Sequence, residues 1–129
     1  MKQATPEAAE FLTVLLHGVT ATHMLHLLCR GQGSFAKHMA LGDLYSGLDD
    51  AADKLAEAYF GCASLIEEYP GTKFPTFTTK SDPLSYVTQL YEYVEEKREK
   101  MGDESHIQNI VDEICSLIST ARYKLKELG

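Results

Sequence analysis

Two histidines and two acids make the one pattern in this chain whose residue types and spacing could do chemistry. His26 and His38 stand either side of the turn Arg30-Gly31-Gln32-Gly33, and Asp53 and Glu57 follow at helical spacing, with Asp49 one turn earlier. Two imidazoles and two carboxylates suit iron, which accepts nitrogen and oxygen donors together. His23, one turn before His26, and Asp49 are further candidates for the same ion. Each residue also has an ordinary reading. A histidine on an apolar helix packs or hydrogen-bonds, and an acidic row at helical spacing is a solvated face that Lys54 could neutralise.

Spacing restricts how the four could act together. Asp53 lies fifteen residues beyond His38, which is roughly 22 Å along one helix, and Glu57 is a further turn away. Direct ligation then needs either two separate sites or a second subunit. In a two-fold dimer with antiparallel copies of this helix, the histidine end of each chain would face the carboxylates of the other.

Four helices are expected to position these residues in a single all-α domain spanning residues 1–129. The first starts at Thr5-Pro6, a cap followed by proline at the first helical position, and runs to Leu28 before Gly31. Ser34 is expected to cap the second, whose stripe Leu41, Leu44, Tyr45, Leu48, Ala52, Leu55, Tyr59, Cys62 and Ile66 keeps helical spacing until Pro70-Gly71. Pro83 begins the third, capped by Asp82 or Ser81, and Gly102-Asp103 joins it to a fourth that carries Ile107 to Leu125. The first and last joints are short, so helices one and two, and three and four, run antiparallel. Pro70 to Ser81, by contrast, could extend about 40 Å. Either a crossover that makes helices two and three parallel or a merely long loop accounts for it.

Composition narrows the partners. With a formal net charge of −7, and with one lysine and two glutamates across residues 1–10, DNA binding is not expected. The uncharged run Phe11 to Cys29 contains His17, His23, His26 and three threonines, which reads as a buried helix rather than a membrane span. Three scattered cysteines, Cys29, Cys62 and Cys115, read as small apolar residues in a reducing, cytoplasmic compartment. A first helix that is apolar on nearly every face needs covering by its own bundle or by another subunit.

The segment His26-Leu-Leu-Cys-Arg-Gly31, Ser34-Phe-Ala-Lys-His38, Leu44-Tyr45, Leu48-Asp49 and Asp53-Lys-Leu-Ala-Glu57 resembles the first helical hairpin of the Dps, or mini-ferritin, family. There a histidine is followed twelve residues later by a second, and then by an Asp and a Glu fifteen and nineteen residues beyond that. The intervals here are the same. The resemblance covers about residues 8 to 68. It implies a ferritin-like four-helix bundle with a long crossover between helices two and three, and an iron-oxidising (ferroxidase) centre between two-fold-related subunits. His26 and His38 would come from one chain, and Asp53 and Glu57 from the other. The implied partner is a second copy of the chain, in a hollow homo-oligomer of twelve subunits built from two-fold dimers that stores ferric mineral. Two departures stand out: Leu27 occupies the family's tryptophan position, and Gly42 a position where many members place an acid. No Glu-x-x-His occurs in the sequence, so the intrachain di-iron centre of larger ferritins is not expected. The alternative is a non-catalytic helical oligomer that serves as an interaction or structural module.

Overall fold

The computed structural model describes residues 2–128. They form four α-helices and no strand: α1 (Pro6–Leu27), α2 (Ser34–Cys62), α3 (Pro83–Lys97) and α4 (Ser105–Glu127), with a 3-10 turn at Arg98–Met101 after α3.

Local chemistry sets most of the boundaries. The Thr5 hydroxyl accepts from the Ala8 N–H at 3.0 Å and Pro6 opens α1, so two of the unpaired positions of a helix start are dealt with at once. Asp82 does the same for α3, accepting from the Leu84 N–H at 3.1 Å ahead of Pro83. Gly102 makes the joint before α4 with φ +94°. A Cβ there would sit 2.6 Å from a Glu104 carboxylate oxygen, so only glycine fits the turn.

Two boundaries differ from the sequence reading. Ser34 does not cap α2. Its hydroxyl turns back to the Gly31 carbonyl at 2.7 Å, and Gly33, in the left-handed region with φ +79°, holds the capping position. A backbone that must turn left-handed selects glycine over the better side-chain cap. The second difference is length, because α2 stops at Cys62 rather than at Pro70. Ala63 is extended and fully buried, and it pairs as an isolated bridge with Lys2, while the Ser64 N–H donates to the Lys2 carbonyl at 3.0 Å. Pairing with a segment sixty residues away outweighs the helical spacing that Ile66 continues.

The helices pack as four pairs, α1–α2, α2–α4, α3–α4 and α1–α3. Contacts along each pair show antiparallel directions. Thr5 N donates to the Tyr59 hydroxyl at one end of α1–α2 while His26 meets His38 at the other. Lys54 pairs with Glu113 and Asp43 with Lys124 across α2–α4. The Arg122 guanidinium lies over Tyr91 and Arg98 bonds Gln108 across α3–α4. Phe11 stacks on Tyr93, and Gly18 approaches Leu90, across α1–α3. Segment 63–82 joins α2 to α3. It is tied to α1 where Thr72 bonds His17, and to α3 where Phe77 packs edge-on against Tyr86.

All four helices share one core, in which Phe11, Leu15, Leu41, Leu48, Leu55, Val87, Ile107, Ile114 and Ile118 are fully buried. Each contributes about 2 kcal/mol by leaving water. The buried hydroxyls of Thr13 and Thr22 donate to the Ala9 and Gly18 carbonyls within α1, so they add no unpaired polar group. Among the described residues no helix is long and apolar enough to cross a membrane.

Candidate metal centre

The α1–α2 hairpin brings His26 and His38 face to face. Their rings stack with centroids 3.7 Å apart and planes 20° from parallel. Each Nδ1 meets the backbone carbonyl of the other residue, His26 Nδ1 to the His38 oxygen at 2.7 Å and His38 Nδ1 to the His26 oxygen at 3.1 Å. A carbonyl only accepts, so both Nδ1 atoms carry a proton and Nε2 is the position left to offer a lone pair. That is the tautomer of a metal-ligating histidine, in which the outer N–H is anchored and the inner nitrogen is free to bind.

Gly42 makes room for this arrangement. A Cβ at that position would lie 3.1 Å from His26 Cε1 and 3.3 Å from its Nδ1. A side chain at position 42 would therefore need the His26 ring to give by a few tenths of an ångström.

His23 stands one turn away and is engaged otherwise. It stacks on Tyr45 with centroids 3.9 Å apart and planes 8° from parallel, 6.1 Å from His26. Tyr45 in turn presents an edge to His26 at 5.3 Å. Tyr45, one position of the helical stripe expected for α2, is half-buried, and its place beside both histidines depends on the hairpin register.

The carboxylates lie elsewhere. Asp53 and Glu57 are exposed and line a groove of about 320 Å³ between α1 and α2, with Leu12, Leu16, Ala56, Phe60 and Tyr69 around them. Asp49 is exposed one turn closer to the histidines. Lys54, an expected partner for the acidic row, pairs instead with Glu113 on α4. Among the described residues no three His, Cys, Asp or Glu side chains gather closely enough to hold a metal ion. One chain thus unites the two histidines and separates them from Asp53 and Glu57, as helix rise requires.

A strip of exposed apolar side chains accompanies the two halves. Leu27 is 69% exposed and Phe35 75%, and Leu16, Met24 and Met39 on the same two helices are also open to solvent. A monomer seldom leaves so many large apolar groups on one helical pair without a partner to cover them. A groove of about 600 Å³ is on the other side of α2. There Ala40, Gly47 and Ala51 face Leu117 of α4 between the ion pairs Asp43–Lys124 and Lys54–Glu113, and among the described residues it gathers no set of metal ligands.

Sequence reasoning also passed over a thiol–imidazole pair. The Cys62 Sγ lies 3.3 Å from the His106 Nε2 at the opposite end of α2. Of the three cysteines only Cys115 is buried; Cys29 and Cys62 are partly exposed, contrary to the expectation of three core residues. Cys62 and His106 are forty-four residues apart, and only the packing of α4 on α2 brings them together.

The profile of a family of unknown function (DUF5856) matches residues 26–125. Neither the curated proteins nor the solved structures contain a match to the chain.

Proposed function

The chain belongs to that family, and we propose that it is an iron-binding mini-ferritin that oxidises Fe(II) at a site shared between two-fold-related subunits and stores or detoxifies the product. The observation that carries this reading is the reciprocal bonding of His26 and His38, which anchors both Nδ1 atoms on backbone carbonyls and leaves Nε2 of each ring as the atom open to a metal.

Fe(II) is the substrate in this reading. His26 and His38 offer it nitrogen, and the partner subunit's Asp53 and Glu57 offer oxygen. The carboxylates favour the ferric product, the harder cation. With peroxide as oxidant, two Fe(II) ions give one electron each, the O–O bond breaks, and two protons complete two waters. Oxygen is the alternative acceptor.

The fold supports the same reading. Because α2 and α3 are each antiparallel to α1, they run parallel to one another, and segment 63–82 must travel the length of the bundle between them. A ferritin-like crossover has that connection. The exposed apolar strip beside the two half-sites supports two-fold pairing, and a closed shell of twelve copies is the assembly proposed.

The test is addition of Fe(II) in air to the purified protein. A soluble, yellow-brown, high-mass species that a His26→Ala/His38→Ala chain fails to form is the expected result. Iron oxidation no faster than in buffer would end the proposal.

A further inference from the structure

The Cys62–His106 pair stands apart from the candidate metal centre, at the end of the bundle where α2 finishes and α4 begins. The half-buried Cys62 thiol is the last residue of α2, and His106 is the second residue of α4. Their 3.3 Å separation puts the sulfur proton within reach of Nε2 when the ring carries its own proton at Nδ1, the relation a nucleophile has to its base. Around them the Glu104 carboxylate is gripped by Lys2 at 2.8 Å, and its carboxyl is held low chiefly by that lysine, with His106 contributing. Asp103 and the Tyr59 hydroxyl are the other titratable groups close to Lys2.

The other two thiols are occupied differently. Cys29 donates to the Leu25 carbonyl, and burial pushes its pKa up. Cys115 donates to a Glu95 carboxylate oxygen at 3.0 Å, and burial together with that contact pushes its pKa up to about 12. Both are kept as thiols at neutral pH, whereas Cys62 faces a base.

We infer that Cys62 and His106 form a thiol-exchange site, at which the chain attacks a low-mass disulfide and carries the resulting mixed disulfide. His106 Nε2 takes the proton from Cys62 Sγ. The thiolate then attacks one sulfur of the disulfide; the new S–S bond forms as the old one breaks, and its electron pair leaves with the departing thiolate. That thiolate takes the proton from His106. Cys62 is oxidised, the disulfide is reduced to one free thiol and one bound half, and no other reactant is needed. Cystamine, a small symmetric disulfide, is the probe.

The experiment treats the full chain with cystamine at pH 7 and follows intact mass, with peptide mapping to locate the adduct. Expected is a single rapid addition at Cys62, slowed roughly tenfold in the His106→Gln chain, which has no base beside the sulfur to take its proton. First addition at Cys29 or Cys115 would overturn the inference, and so would an unchanged rate in His106→Gln. The wild-type chain gives a readout that needs no variant: cystamine should modify Cys62 ahead of Cys29 and Cys115, and equal rates at all three would overturn the assignment. Neither readout depends on iron, so this inference and the proposed function can fail separately.

Discussion

A Cβ placed on Gly42 would lie 3.1 Å from Cε1 of His26, so the bare helix surface at Gly42 is the floor on which that imidazole rests. The ring is held from the other side by the His38 stack and by the 2.7 Å bond to the His38 carbonyl, which leaves it little freedom to retreat. Gly42→Ala sets two effects against each other. Alanine gains about 1 kcal/mol of helix propensity over glycine, while the ring must move by a few tenths of an ångström. Thermal unfolding should therefore change by no more than about 1 kcal/mol in either direction, while iron oxidation drops roughly tenfold because ligand placement is exacting. Gly42→Asp should lose more, despite adding a carboxylate. Retained activity in Gly42→Asp would show that His26 does not act from the position seen here.

Tyr93 offers a test of stability with no bearing on metal. Its hydroxyl is buried without a partner among the described residues, while its ring stacks on Phe11. Tyr93→Phe keeps the ring and removes the unpaired group, so it should be neutral or stabilising by about 1 kcal/mol in thermal or denaturant unfolding. Burial, with Glu10 and Glu99 adding to it, pushes the phenol from the usual 10.0 up to about 12. The fold favours the neutral phenol, so this contribution is whole below pH 10 and is lost as pH rises towards 12. The variant should accordingly resist alkaline unfolding better than the parent. A lower alkaline midpoint would mean that the hydroxyl has a partner in solution.

Much of this architecture is legible in the amino-acid sequence because it is encoded locally. Thr5-Pro6, Asp82-Pro83 and the Gly102 joint each act on the residues beside them, and the hairpin at Gly31–Gly33 suffices to bring His26 opposite His38. What escaped depends on contacts distant in the chain. The end of α2 is decided by Lys2 pairing with Ala63, and Ile66 kept the helical period regardless. Cys62 read as one more core position, since nothing near it in sequence announces His106. The stack of His23 on Tyr45 and the steric use of Gly42 both follow from the rotational register of α1 against α2, which periodicity alone does not specify.

The exposed strip on the hairpin leads to a prediction about assembly. Leu27 and Phe35 are the most exposed large apolar side chains in it, at 69% and 75%. If a second copy covers them, the parent chain should scatter light as a closed oligomer, and Leu27→Asp/Phe35→Asp should give smaller species with unchanged helix content. Charges forced into a dry interface are costly, whereas the same charges on an open surface change stability very little. A parent that stays monomeric at micromolar concentration would remove both the assembly and the shared site.

The sharpest prediction concerns how two chains build one site. His38 and Asp53 stand on one straight helix about 22 Å apart, and no group of three metal-binding side chains gathers among the described residues of a single chain. A His26→Ala/His38→Ala chain and an Asp53→Ala/Glu57→Ala chain should therefore each be nearly inactive as pure assemblies. In a mixed dimer, one interface collects all four substitutions and the other collects both intact halves. Random mixing at equal amounts makes about half of the dimers mixed, each with one good site, so roughly a quarter of the parent iron oxidation should return. Native mass spectrometry can confirm that both chains share an assembly before the rate is read. Should mixed assemblies stay as inactive as the pure ones, His26 and His38 would have to act without the carboxylates of a neighbouring chain, and the shared centre would be ruled out.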